Sequence, residues 1–319
     1  MLRSSLIYLS QAGWARVLVT KMPVTRQTAR RFVAGETPDD AIRAIQELNA
    51  KGILATLDHL GEHTRDPSQA RQATEHILHI LERIQEAGVR SNVSIKLSQI
   101  GVELDEALCR ENLRRILEKA RAMDNFVRID MEDSPLVEIT LGLYREMRQE
   151  GFENVGVVIQ SYLRRSEEDL AQLLALQARV RLVKGAYLEP PEVAFQDKRT
   201  VDRQFDILAD QLVAGALAAG APRLSQDGRF PPIPAIATHD EARIEHAKST
   251  ARAQGLPQDA LEFQLLYGIR RDLQERLVAE GYPVRVYVPY GTEWYPYFMR
   301  RLAERPANLW FFLSNLVRR

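Results

Sequence analysis

Residues 180–187 read Val-Arg-Leu-Val-Lys-Gly-Ala-Tyr. Strand alternation puts Arg181 and Val183 on one face and Lys184 on the other. The glycine that follows lets the backbone come close to a ligand. Seven similar short, β-rich runs surround this one: 52–58, 92–99, 126–132 and 155–162 before it, 234–240, 261–268 and 284–290 after it. Longer segments of helical period lie between them, such as 68–87, where Ala73, Ile77, Ile80 and Ile84 mark one apolar face. Strand and helix in alternation make a parallel α/β fold, and eight such units suffice to close a barrel.

The polar residues separate a barrel from an open sheet. Asp58, Lys96, Asp130, Gln160, Lys184, Thr238 with His239, Gln264 and Tyr287 each sit in or just beyond a different run. A doubly wound sheet concentrates functional groups at one switch point, whereas a barrel spreads them around its mouth. No GxGxxG follows the first run, which further disfavours a dinucleotide fold. The expected architecture is a distorted (β/α)8 TIM-type barrel over residues 46–319, preceded by extra N-terminal helices in an arm of residues 1–45. Thr37-Pro38-Asp39-Asp40 reads as the cap of the last of those helices. Residues 188–233 form a long connection with a helix near 201–219 and a Gly/Pro loop at 220–232. Long loops on a barrel's catalytic face are usually functional.

Composition is that of an ordinary globular protein, with 45% hydrophobic and 27% charged residues and one cysteine, Cys109. A single cysteine excludes internal disulfides. Net charge is zero, yet residues 1–35 carry Arg3, Arg16, Lys21, Arg26, Arg30 and Arg31 and no acid. Such an arm suits an anionic membrane surface, a solvated helix or an imitation of a transit peptide. No basic-aromatic cluster accompanies it, so nucleic acid is not an expected partner. No apolar stretch reaches the length of a membrane span or a secretory signal. The expected location is the cytoplasm, with peripheral contact at the inner membrane as the alternative.

Among the candidate chemical groups, Lys96 stands in an apolar run and points into the barrel by alternation. A buried amine needs a counter-charge, for which Asp130 is the structural candidate, or a depressed pKa. Its functional readings are an anion clamp or a Schiff-base nucleophile. Arg300 and Arg301 follow an aromatic stretch. Adjacent helix positions diverge by about 100°, so both meeting one carboxylate is a sharper reading than one of them being solvated. His59 and His63 flank Glu62, but the order is not that of a helical zinc motif, and no metal is expected.

The strings RLVKGAY (181–187), ATHD (237–240), EFQLLYG (262–268) and YVPYG followed by RRLAE (287–304) resemble the proline dehydrogenase family, in consistent order across residues 45–310. The chain is similar to its short, single-function bacterial type. The resemblance implies FAD as cofactor, L-proline as substrate and a membrane quinone as electron acceptor; homo-oligomerisation is left open. It implies that Lys96, Arg300 and Arg301 hold the proline carboxylate and that Tyr287, Tyr297 and Leu266 wall the ring. It places Glu62 as a gate paired with Arg300. Arg181 would lie near flavin N5, with Asp130 in the same catalytic polar network. Met131, Gln160, Val183, Lys184, Gly185, Ala186, Tyr187, Thr238 and His239 would contact the cofactor.

Two other readings stand beside this one. A Schiff-base aldolase would use Lys96 or Lys184. A non-catalytic barrel would keep the carboxylate clamp and bind amino acids or membranes without a flavin.

Overall fold

The structure, a computed structural model, describes residue 29 and residues 31–304. Eight parallel strands close into one barrel in chain order. They are β1 (Leu54–His59), β2 (Ser91–Ile95), β3 (Val127–Ile129), β4 (Val155–Gln160), β5 (Arg179–Val183), β6 (Pro234–Ala237), β7 (Glu262–Leu266) and β8 (Val284–Tyr290). Pairing from Leu54↔Arg285 to His59↔Tyr290 closes the ring. Helix α1 (Pro38–Asn49) precedes β1. Each strand is then followed by one helix: α2 (Pro67–Ala87), α3 (Glu106–Ala122), α4 (Ser134–Gln149), α5 (Ser166–Ala175), α6 (Lys198–Ala218), α7 (Glu241–Gln254), α8 (Arg271–Ala279) and α9 (Trp294–Glu304). Apart from Ala29, the expected arm lies outside the described residues up to position 30.

Local chemistry sets the helix starts. Thr37 and Asp40 form a reciprocal capping box on α1. Asp66, Asp105, Asp197 and Asp240 accept backbone N–H bonds at the starts of α2, α3, α6 and α7.

The apolar core is the ring between strands and helices. Ala55 and Leu57, Val93 and Ile95, and Val284, Val286 and Val288 alternate along their strands and are buried in one cluster with the helices. Barrel interiors are usually filled by branched apolar side chains. Here Thr56, Asp58, Ser94, Arg128, Arg181, Glu262, Gln264 and Arg285 are buried as the other half of that alternation.

The floor of the barrel is an ion pair. Arg285 donates to both oxygens of Glu262 at 2.9 Å, and both side chains are wholly buried. Arg285 also donates to the carbonyls of Ala55 and Gly228, 2.8 Å each. Loop 220–232 supplies that second carbonyl, so it belongs to the floor and not to the catalytic face. The connection leaves α6 and enters the N-terminal end of β6, which topology puts at the bottom. Arg229 and Pro231 accept there from Asn92 and Arg179, and Phe230 meets Phe126 edge-on at 5.8 Å.

Several strands stop earlier than their apolar runs. The run 92–99 continues past Ile95 because Leu97 and Ile100 are buried in the turn, not because the ladder goes on. Lys96, Asp130 and Lys184 consequently stand just past the ends of β2, β3 and β5.

Replacing Glu262 by alanine leaves Arg285 as a buried charge without its carboxylate. Glu262→Ala is expected to cost about 3–5 kcal/mol of folding stability, read by urea unfolding, and Arg285→Met combined with Glu262→Leu to recover most of it.

Candidate active site

At the opposite end of the barrel the inward polar residues join into one network. Lys96 lies between Asp58, 3.1 Å from each oxygen, and Asp130, at 3.6 Å. Its ammonium donates to Tyr287 Oη at 3.2 Å, and Tyr287 donates to Asp130 at 2.8 Å. Arg181 reaches across the interior to three strands' worth of partners: Asp130 Oδ1 at 2.7 Å, Gln264 Oε1 at 2.5 Å and Ser94 Oγ at 3.0 Å. Two cations and two carboxylates thereby make a buried circuit of balanced formal charge.

Burial opposes the charge on Lys96, but Asp58 and Asp130 outweigh it and hold the ammonium above its ordinary pKa. A Schiff-base nucleophile requires the reverse shift. Burial, reinforced by Asp130 and Asp58, raises the Tyr287 phenol well above its usual value and keeps it a donor.

A cavity of about 400 Å³ opens above this circuit, a size typical of small-molecule and cofactor sites. The eighteen site residues that the family resemblance implies all reach its wall. The first three units bring Glu62, Lys96, Asp130 and Met131. Unit four brings Gln160, and unit five Arg181, Val183, Lys184, Gly185, Ala186 and Tyr187. The last three bring Thr238, His239, Leu266, Tyr287, Tyr297, Arg300 and Arg301.

The fifth-unit turn is fixed from outside the cavity. Gly185 has φ +117, and a Cβ there would lie 2.3 Å from the Tyr162 ring, so the ring as well as the backbone requires glycine. Lys184 turns the other way, as alternation implies, into Asp202 (2.5 Å) and Asp240 (2.6 Å). Asp240 also caps α7 with its second oxygen. Leu266 N donates to His239 Nε2 at 3.1 Å, holding the imidazole at the end of β7. Gln160 Nε2 donates to the Glu132 carbonyl at 2.7 Å, while its Oε1 is buried with no donor.

Arg300 and Arg301 both line the cavity despite their helical offset. Arg300 makes a two-point ion pair with Glu62, at 2.6 and 3.1 Å. The Arg301 guanidinium lies 5.0 Å from the Tyr297 ring centroid, in cation–π range. Burial opposes both charges of the first pair, yet Arg300 holds the Glu62 carboxyl below its ordinary pKa and Glu62 raises that of Arg300.

The histidines have other occupations. His59 packs edge-on against His76 at 5.0 Å and is pushed down to about 4 by burial, with His76 and Lys96 adding. His63 meets Glu103 at 2.6 Å. Sequence reasoning missed Asp58 as the main partner of Lys96 and Ser94 and Gln264 as anchors of Arg181. Their signal was the polar half of each strand's alternation, Glu262 and Gln264 on β7 above all.

The family model described as proline dehydrogenase matches residues 41–313. Proline dehydrogenase 1 of Bacillus subtilis is 42% identical over 320 residues, covering 100% of both chains. Proline dehydrogenase of Deinococcus radiodurans is 43% identical over 95% of this chain and 97% of its own. A crystal structure of proline utilization A from Bdellovibrio bacteriovorus superposes with a TM-score of 0.79 at 25% identity, covering 88% of this chain and 33% of that one.

A carboxyl held low in the fold adds stability above its ordinary range, and that contribution is lost as pH falls through the lowered value. The stability gap between the native chain and Glu62→Gln, followed by thermal unfolding, is therefore expected to be full at neutral pH and to close as pH falls below the ordinary glutamate range.

Proposed function

The chain belongs to the proline dehydrogenase family, and from that premise we propose that it oxidises L-proline to Δ1-pyrroline-5-carboxylate with FAD as its cofactor and a membrane quinone as final acceptor. The observation that carries this reading is the convergence of Lys96, Arg181, Arg300 and Arg301 on one cavity above a charge-balanced barrel mouth. L-Proline is a small zwitterion with one carboxylate, and fixed cations with bidentate geometry suit that group.

The residues present fit a flavin. Gln160 Oε1 is a buried acceptor lacking a donor on the cavity wall, and an isoalloxazine ring carries an N–H of that kind. The Val183–Tyr187 turn and the Thr238–His239 pair would hold the ring and the rest of the cofactor. Bound FAD supplies the hydride acceptor for the carbon beside the proline nitrogen.

The protein's own part is positioning and electrostatics. Lys96, Arg300 and Arg301 bind the carboxylate, with Glu62 yielding Arg300 as substrate enters and re-pairing over it. Tyr287, Tyr297 and Leu266 wall the ring. The cations favour loss of the substrate ammonium proton by like charge. Asp130, bound to both Arg181 and Tyr287, keeps them in register beside the reacting carbon. The raised Lys96 ammonium tells against the aldolase reading. Anaerobic L-proline is expected to bleach the yellow absorbance of the purified protein; a colourless protein, or colour that proline leaves unchanged, refutes the proposal.

No described helix is long and apolar enough to cross a membrane. Contact with a membrane-borne quinone would then be peripheral, through the basic residues of positions 1–35. Deleting those residues is expected to weaken sedimentation with anionic vesicles, while unchanged binding removes the arm from the account.

A further inference from the structure

Inside the barrel the hydrogen bonds run in one permitted direction. Arg285 donates to Glu262, whose Oε1 also accepts from Gln264 Nε2 at 2.6 Å. Gln264 Oε1 accepts from Arg181 Nε at 2.5 Å, and Arg181 donates onward to Asp130. Arginine only donates and a carboxylate only accepts. Gln264, buried between a carboxylate and a guanidinium, can therefore present its amide nitrogen only to Glu262 and its oxygen only to Arg181. An amide that usually has two orientations here has one.

We infer that Gln264 is a positioning residue, which transmits the fixed Arg285–Glu262 floor to Arg181 and sets the rotation of that guanidinium at the cavity. The floor pair is held in turn by the Ala55 and Gly228 carbonyls, so the reference point is the barrel backbone. Asp130 and Ser94 hold the two terminal nitrogens of Arg181, and Gln264 holds Nε. With the third anchor gone, the guanidinium plane hinges about the other two. Lys96 and Arg300, which take the substrate carboxylate, are not bonded to Gln264 and stay in place. The inference rests on the reading that Arg181 works beside a bound flavin.

Two variants test it. Gln264→Leu is expected to lower kcat by about 10- to 100-fold through misplacement, with KM for L-proline changed by less than about twofold because uniform binding is untouched. The midpoint potential of its flavin should fall, since a loosened Arg181 stabilises added electrons less. Gln264→Glu sets a carboxyl between Glu262 and Arg181: contact with Glu262 favours a shared proton, while Arg181 on one side and Arg285 behind Glu262 oppose it and set where the step falls. Its shared proton, bound more tightly in the fold than in the unfolded chain, makes stability fall as pH rises through the raised pKa. Both the thermal midpoint and kcat of Gln264→Glu should thus acquire a pH step that the native protein and Gln264→Leu lack. Native kcat and potential in folded, flavin-loaded Gln264→Leu, or a native pH dependence of unfolding in Gln264→Glu, overturns the inference. A native protein without flavin absorbance defeats the functional reading instead, and the unfolding profile of Gln264→Glu still decides whether residue 264 is seated on Glu262, the first link of the chain.

Discussion

A charge inside a closed barrel has no water to solvate it, and an uncompensated one costs several kcal/mol. The Lys96, Asp58, Asp130 and Arg181 circuit meets that constraint by taking one partner each from β1 and from just past β2 and β3, with the fourth on β5. No two of these strands' contributions are independent. Removing Asp58 leaves Asp130 as the carboxylate within ion-pair distance of Lys96, and removing Asp130 takes a partner from Arg181 and Tyr287 together. The same dependence ties the mouth's charges to several strands at once, and charges already in place act most strongly on a reaction.

The two ends of the barrel divide the labour. The floor pair, Arg285 with Glu262, is wholly buried beneath the loop that seals it. The mouth carries two kinds of cation. Lys96 is buried and already neutralised by groups that are part of the wall, so a ligand anion adds to its shell without displacing anything. Arg300 is partly exposed, and its counter-ion Glu62 lies on the loop between β1 and α2, outside the ladder. On the proposed function, a ligand carboxylate would compete with Glu62 for Arg300 but not with Asp58 for Lys96.

The barrel and the cavity wall were legible because one polar side chain in an apolar run stands out. Lys96 in Ser-Ile-Lys-Leu-Ser and Arg181 in Val-Arg-Leu-Val are examples; strand alternation aimed Lys96 into the barrel and set Arg181 on the face opposite Lys184, as found. The capping box at Thr37 was legible because it spans four residues. Pairings that depend on register were not. Asp58 meets Lys96 only because Asp58 pairs with Ser94, two residues before Lys96, and the Arg285–Glu262 floor needs β7 and β8 in alignment. Strand ends overran for a related reason, since Leu97 and Ile100 bury in a turn as readily as in a ladder. Loop 220–232 was read for the wrong face because its Gly/Pro content marks a loop without saying which end of the barrel it closes.

On the proposed function, the cations of the mouth recognise a carboxylate on a small ring. Cyclopentanecarboxylate and cyclopentanecarboxamide share a shape and differ in charge, and neither has the amine that reacts. Titrating each into the flavin-loaded protein and following the visible difference spectrum compares them directly. Saturable binding is expected for the carboxylate, with little or none for the amide. Equal affinity for the two would contradict that recognition.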